Sequence, residues 1–188
     1  MDGSAVVSAE RPAGPPTNMQ FIRRSNKKPV PGDVFAMLYP DGQYLFGRVI
    51  RVDLPEGKAP MTGANLLYIY NVRSDSKDVD LSLLRPEALL IPPVFTNRML
   101  WSKGFAETIA SPGLQPEDEL AQHCFYSYSF KRYFDLERNE LPSRIEPCGV
   151  YALDSYRTLD DSISEALGIP LIPPQPGDHD YVGDVPAP

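Results

Sequence analysis

Few residues in this chain have types and spacings that could do chemistry. There are two histidines, His123 and His179. His123 directly precedes Cys124, whereas a zinc site calls for three or four Cys, His or carboxylate ligands at recognisable spacing. Adjacent strand residues point to opposite faces, so the ordinary reading is an edge histidine beside a buried thiol. The chemical alternative is a metal-assisted hydrolase using His123, Cys124 and nearby carboxylates as ligands. With so few histidines a Ser-His-Asp arrangement has almost no candidates, and there is no G-x-S-x-G elbow. No Gly-rich phosphate loop occurs either. Asp75, Asp78 and Asp80 are spaced loosely like a cation loop, without the central Gly and closing Glu of an EF-hand. They read as a solvated polar loop. Glu117, Asp118 and Glu119 read either as the charged first turn of a helix or as an acidic interaction patch. No catalytic, cofactor-binding or metal-binding residue is assigned on this basis.

Aromatic side chains are the more informative surplus. Tyr126, Tyr128, Tyr133 and Phe134 crowd one segment near Phe125 and Phe130, and Trp101 stands alone. Such residues serve core and strand-edge packing, and Tyr and Trp are also enriched among binding hot spots. Alternate positions in the Tyr126–Tyr128 run are candidates to face outward. The residues expected at a partner interface are therefore Asp75, Asp78, Asp80, Glu117, Asp118, Glu119, Tyr126 and Tyr128.

The charge pattern narrows the partner. The 188 residues carry a formal charge of −7. Residues 1–29 carry +3 through Arg11, Arg23, Arg24, Lys27 and Lys28 against Asp2 and Glu10, which leaves −10 on the remainder. An acidic body without a long basic stripe argues against direct nucleic-acid binding. It suits a basic protein partner, although acidity also serves plain solubility. Cys124 and Cys148 lack CxxC spacing. Reduced thiols in a cytosol fit them, with a single disulfide between neighbouring strands as the alternative. No segment approaches ~18 consecutive apolar residues, and the N-terminus lacks the pattern of a signal peptide.

The elements that must position these residues read mostly as strands. Val34–Tyr39 is a continuous apolar run, as expected of a strand buried on both faces. Pro40, Asp41 and Gly42 supply turn chemistry. In the second strand Tyr44, Phe46, Arg48, Ile50 and Val52 share one face. Further strands are expected at Leu66–Val72, at Leu89–Ile91 (stopped by Pro92 and Pro93), at Met99–Ile109 with Gly104 inside it, within Phe125–Leu136, and at Val150–Leu153. Leu81–Leu84 reads as a helical turn. A helix is expected over Leu159–Leu167, capped by Thr158 and ended by Gly168, and a second around Gln115–Gln122. The fold class is α+β and β-rich, with an antiparallel, strongly curved or barrel-like sheet and one or two short helices. The organisation is a flexible leader at 1–29, a single domain at 30–172 and a Pro-rich acidic tail at 173–188.

One segment supports a family resemblance. Gly32-Asp33-Val34-Phe35-Ala36, then Asp41-Gly42-Gln43-Tyr44, then Phe46-Gly47-Arg48-Val49 resembles the start of the immunity protein 26 family of bacterial polymorphic toxin systems. Trp101–Phe105 and Gly149–Gly168 look similar to later parts of that pattern. The resemblance implies a non-enzymatic, cytoplasmic antidote that binds a cognate toxin domain and occludes its active or substrate-binding surface, without cofactor or membrane. An acidic inhibitor suits a basic toxin, such as a nuclease. Some relatives bear a phosphotriesterase-type label, which gives the alternative of a metal-assisted phosphotriesterase-like hydrolase.

Overall fold

The apolar run after Gly32 becomes β1 (Val34–Leu38), which pairs antiparallel with β2 (Tyr44–Leu54) in the expected hairpin. This computed structural model describes residues 16–174, so the expected features at 1–15 and 175–188 lie outside the described residues. β2 continues antiparallel to β3 (Ala64–Ser74), and β3 to β4 (Leu89–Thr96). The short β5 (Ala106–Ala110) flanks β1, and β10 (Leu153–Asp154) lies parallel to the end of β4. The resulting order is β10-β4-β3-β2-β1-β5. The α+β, β-rich class holds. The sheet stays open, with β5 and β10 as its edges, and does not close into a barrel.

Both faces of this sheet are covered. Phe35 and Met37 of β1, with Leu67 and Ile69 of β3, belong to one apolar cluster together with Leu159 and Ile163. Val34, Ala36, Leu66, Tyr68 and Tyr70 belong to a second cluster on the opposite face. The cover of the first face is α2 (Tyr156–Leu167), α1 (Met99–Lys103) and the extended segment around Met19. A second, four-stranded sheet helps cover the other face. It has the order β8-β7-β6-β9 and comprises β6 (Cys124–Ser127), β7 (Arg132–Phe134), β8 (Glu140–Leu141) and β9 (Cys148–Val150). Phe125 of β6 meets Phe95 of β4 with ring centroids 4.5 Å apart. No described helix is long and apolar enough to cross a membrane.

Several local expectations are corrected. Met99–Ile109 is not one strand. Met99–Lys103 is helical, and Gly104 ends the helix in the left-handed conformation (φ 88°) before β5 begins, which is glycine's usual role past a helix end. Pro92 and Pro93 do not stop β4. β10 pairs only with Phe95 and Thr96, so the prolines sit where one side of β4 carries no ladder and a missing N–H costs little. Val52 packs against the opposite cluster from Ile50, because register shifts in the β2–β3 ladder after Val49 reverse the alternation. The Gln115–Gln122 helix shrinks to one turn at Pro116–Asp118. The helix expected at Leu159 begins at Tyr156, with Ser155 accepting the Thr158 amide at 3.1 Å. Val150–Leu153 divides between β9 and β10.

The described part of the expected leader is docked. The Asn18 and Met19 amides donate to the Asp160 carboxylate at 2.7 and 2.8 Å. Asn18 Nδ2 reaches Ser164 Oγ at 2.9 Å, and the Gln20 amide bonds the Leu38 carbonyl at 2.8 Å. Arg157 donates to the Pro16 carbonyl at 2.6 Å and also to the Ile172 carbonyl. Burial pushes the Asp160 carboxyl above its usual range against these stabilising amides.

Gly47 sets the spacing inside the first cluster. A Cβ there would lie 2.3 Å from Cζ of Phe35, a ring that also packs edge-on against Trp101 at 5.1 Å. Gly47→Ala is expected to lose about 1–3 kcal/mol through overpacking, read as a lower urea midpoint at unchanged slope.

Candidate functional site

The small sheet turns one face inward and the other outward. Phe125 pairs with Phe134, and both are buried. The next register position places Tyr126 opposite Tyr133, and the same Tyr126 opposite Val150 of β9. Tyr133 in turn faces Leu141 of β8. Cross-strand partners share a face, so Leu141, Tyr133, Tyr126 and Val150 form one row across four strands. Tyr126 lies 5.1 Å from the Tyr133 ring and 5.1 Å, edge-on, from Tyr128. Tyr128 is 71% exposed, Phe130 57% and Val150 42%.

The turn after β6 is held from below. The Arg138 guanidinium stacks over Phe134 at 5.0 Å and Tyr151 at 4.5 Å, and covers Phe130 at 5.4 Å. It also donates to Tyr151 Oη at 2.8 Å. The cation–π contacts fix the base of the turn, while Tyr128 projects outward, edge-on to Tyr126. Two ion pairs lie in the segments that carry the row, Arg132 to Glu140 at 2.6 Å and Arg144 to Glu146.

The acidic residues expected at the interface separate into two kinds. Asp75, Asp78, Asp80 and Glu117 are exposed; Asp80 also caps the turn at Leu81–Leu83 by accepting the Ser82 amide at 2.9 Å. Asp118 is buried and belongs to the scaffold. Its carboxylate meets the buried Arg48 guanidinium at 2.5 Å and accepts the Gln115 amide at 2.9 Å. Glu119 pairs with Arg51 at 2.6 Å and is partly covered. The two arginines of the opening hairpin thus hold the acidic loop onto the large sheet.

His123 and Cys124 diverge. The His123 ring Nε2 lies 2.6 Å from Tyr68 Oη, which also accepts the Leu120 amide at 3.1 Å. Burial drops the His123 pKa to about 4 and lifts the Tyr68 phenol to about 12. The neutral ring and the phenol share one short hydrogen bond at Nε2. Cys124 faces the other way and meets Cys148 at an Sγ–Sγ distance of 2.8 Å; both are free thiols. Burial and the Cys124 contact push the Cys148 thiol up to about 12, so it stays protonated and poorly nucleophilic. Among the described residues no group of three or more His, Cys, Asp or Glu is arranged to hold a metal. Nothing here supports the hydrolase alternative.

A family model described as immunity protein 26 matches residues 30–133, more than half of the chain. The chain belongs to that family. Searches of curated proteins and of solved structures found no match. As an immunity protein 26 member it is an immunity protein of a toxin system. The match runs from the opening hairpin into β7, and ends short of the Gly149–Gly168 segment that the sequence resemblance also included. It includes Tyr126, Tyr128 and Tyr133 and leaves out Leu141, Val150 and α2. The sequence expectation names Tyr126 and Tyr128 but not the row that Tyr126 shares with Tyr133, Leu141 and Val150. The antiparallel β6–β7 and β7–β8 pairings align Tyr126, Tyr133 and Leu141, and the parallel pairing of β6 with β9, which joins residues distant in the chain, adds Val150.

Two outcomes follow from the buried polar groups. His123 stabilises the fold in its neutral form, because its folded pKa lies below the unfolded 6.5. Its contribution is complete above pH 6.5 and is lost as pH falls toward about 4, a loss of about 3 kcal/mol. Asp154, raised to about 6 by burial, acts in the opposite sense between 3.8 and 6. Melting temperatures of His123→Asn between pH 7 and 4 should fall less steeply than those of the parent. Asp118→Asn leaves Arg48 buried without its counter-charge and should cost about 3–5 kcal/mol by chemical denaturation.

Proposed function

We propose that this immunity protein binds a cognate toxin domain in the cytoplasm and occludes its active or substrate-binding surface, using the outer face of the small sheet. The observation that carries this reading is the row Leu141, Tyr133, Tyr126 and Val150, with Tyr128 standing 71% exposed beside it. Tyr side chains bury large area at small entropic expense and are common hot spots. The strand ladders on either side make this face rigid before binding, which lowers the ordering penalty of association. The exposed acids Asp75, Asp78, Asp80 and Glu117 supply a negative field that accelerates encounter with a basic surface. A nuclease groove has that character, since it must attract phosphates. Asp118 and Glu119 act indirectly, by fixing the acidic loop on Arg48 and Arg51.

The test uses the toxin domain encoded beside this gene. Tyr128→Ala should weaken binding by about 2 kcal/mol or more in calorimetry. Its melting temperature should fall little, since the exposed ring packs on the outer face, edge-on to Tyr126, and not in either core. Co-expression should then fail to protect cells. Neutralising Asp75, Asp78 and Asp80 together should slow association and flatten its salt dependence, with dissociation little changed. Parent-like affinity of both the Tyr128→Ala and Tyr126→Ala variants would place the toxin contact elsewhere.

A further inference from the structure

A basic groove lies on the edge of the large sheet, away from the pairing described above. Its volume is about 500 Å³. One wall is the docked segment carrying Arg23, Arg24, Lys27 and Lys28, and the other is Glu107–Ser111 of β5 and its exit. β5 is an edge strand: β1 takes one side of it, and the other carries no strand. The segment is held at its start by the Ile22 and Ser25 amides on the carbonyls of Gly104 and Trp101, at 2.7 and 2.9 Å.

The polar side chains of the β5 wall are already engaged. Glu107 is paired with Lys77 at 2.5 Å, Thr108 accepts the Trp101 indole N–H at 3.1 Å, and Ser111 donates to Asp33 at 2.6 Å. Lys28 reaches Asp53 at 3.4 Å. Arg23, Arg24 and Lys27 have no acidic partner among the described residues. On a chain of net charge −7, this leaves a positive strip that no described acidic residue pairs with, beside a strand edge that no described strand takes.

We propose that this groove receives an extended acidic segment of a partner protein, which adds as a strand to the free edge of β5 while its carboxylates meet Arg23, Arg24 and Lys27. An open strand edge offers a regular row of N–H and C=O groups that an extended polypeptide backbone matches in spacing. A second copy of this chain would bring the same cations against themselves, and like charges so placed repel. The groove thus combines a backbone template with a charge filter selecting acidic sequence. It is independent of the aromatic face and needs no toxin for its test.

The probe is a fluorescent peptide of alternating Glu and Val, titrated against the full chain by anisotropy. Binding should weaken at least tenfold in the Arg23→Ala/Arg24→Ala/Lys27→Ala variant, whose exposed positions leave the melting temperature unchanged. It should weaken similarly when the peptide's alternate backbone amides are N-methylated, which removes ladder donors and leaves charge intact. Peptide binding that survives the triple substitution overturns the proposal. So does single-stranded DNA binding as tightly as the peptide with no N-methylation effect, since that describes a general anion patch. Binding seen only after Asp178→Asn/Asp180→Asn/Asp184→Asn in the full chain also overturns it, because the chain's own acidic residues then fill the groove.

Discussion

Burial of the large sheet on both faces is the constraint from which the rest of this architecture follows. Phe35 and Met37 project to one side of β1, Val34 and Ala36 to the other, and all four are fully buried. A strand of this kind cannot present either face to water without exposing large apolar area. One cover is helical, from α2, α1 and the Met19 segment; the other is assembled from the small sheet and the loops around Leu84 and Leu120. The small sheet commits its Phe125 face to the core, and its opposite face is left for solvent or a partner.

Buried polar contacts decide where each cover sits. Asp160 of α2 receives two amides of the entering segment, Tyr68 of β3 holds His123 and Leu120, and Arg48 of β2 holds Asp118. Each unites a cover with a central strand or another cover. Such groups are costly when unmade and modest in net gain when made, so their effect is to penalise misdocked arrangements. Apolar burial supplies the bulk of the stability, and these contacts supply its address.

The hairpin was legible because its signal is local: an apolar run, a Pro-Asp-Gly turn, then an alternating strand. The helix ending at Gly168 was legible for the same reason. What escaped was decided over long sequence separation. Met99–Lys103 is the exception, a local misreading: Gly104 is the left-handed cap of a helical stub and not a bend inside a strand. Asp118 looked like surface charge because Arg48 lies 70 residues earlier in the chain, beyond any local pattern. Tyr126 and Tyr128 were identified by type, whereas their row with Tyr133, Leu141 and Val150 required the order of the small sheet.

The grip of Arg157 on both Pro16 and Ile172 has a consequence for modularity. One guanidinium on α2 brings the entering and leaving strands of the described chain side by side. A unit whose entry and exit are neighbours can be grafted into a surface loop of another protein without being stretched. It can equally be rejoined through a short linker and reopened elsewhere as a circular permutant. Opening such a permutant in the exposed Asp75–Asp78 loop after β3 would leave both cores and the Arg157 clasp in place, making this domain a candidate for insertion as a cassette.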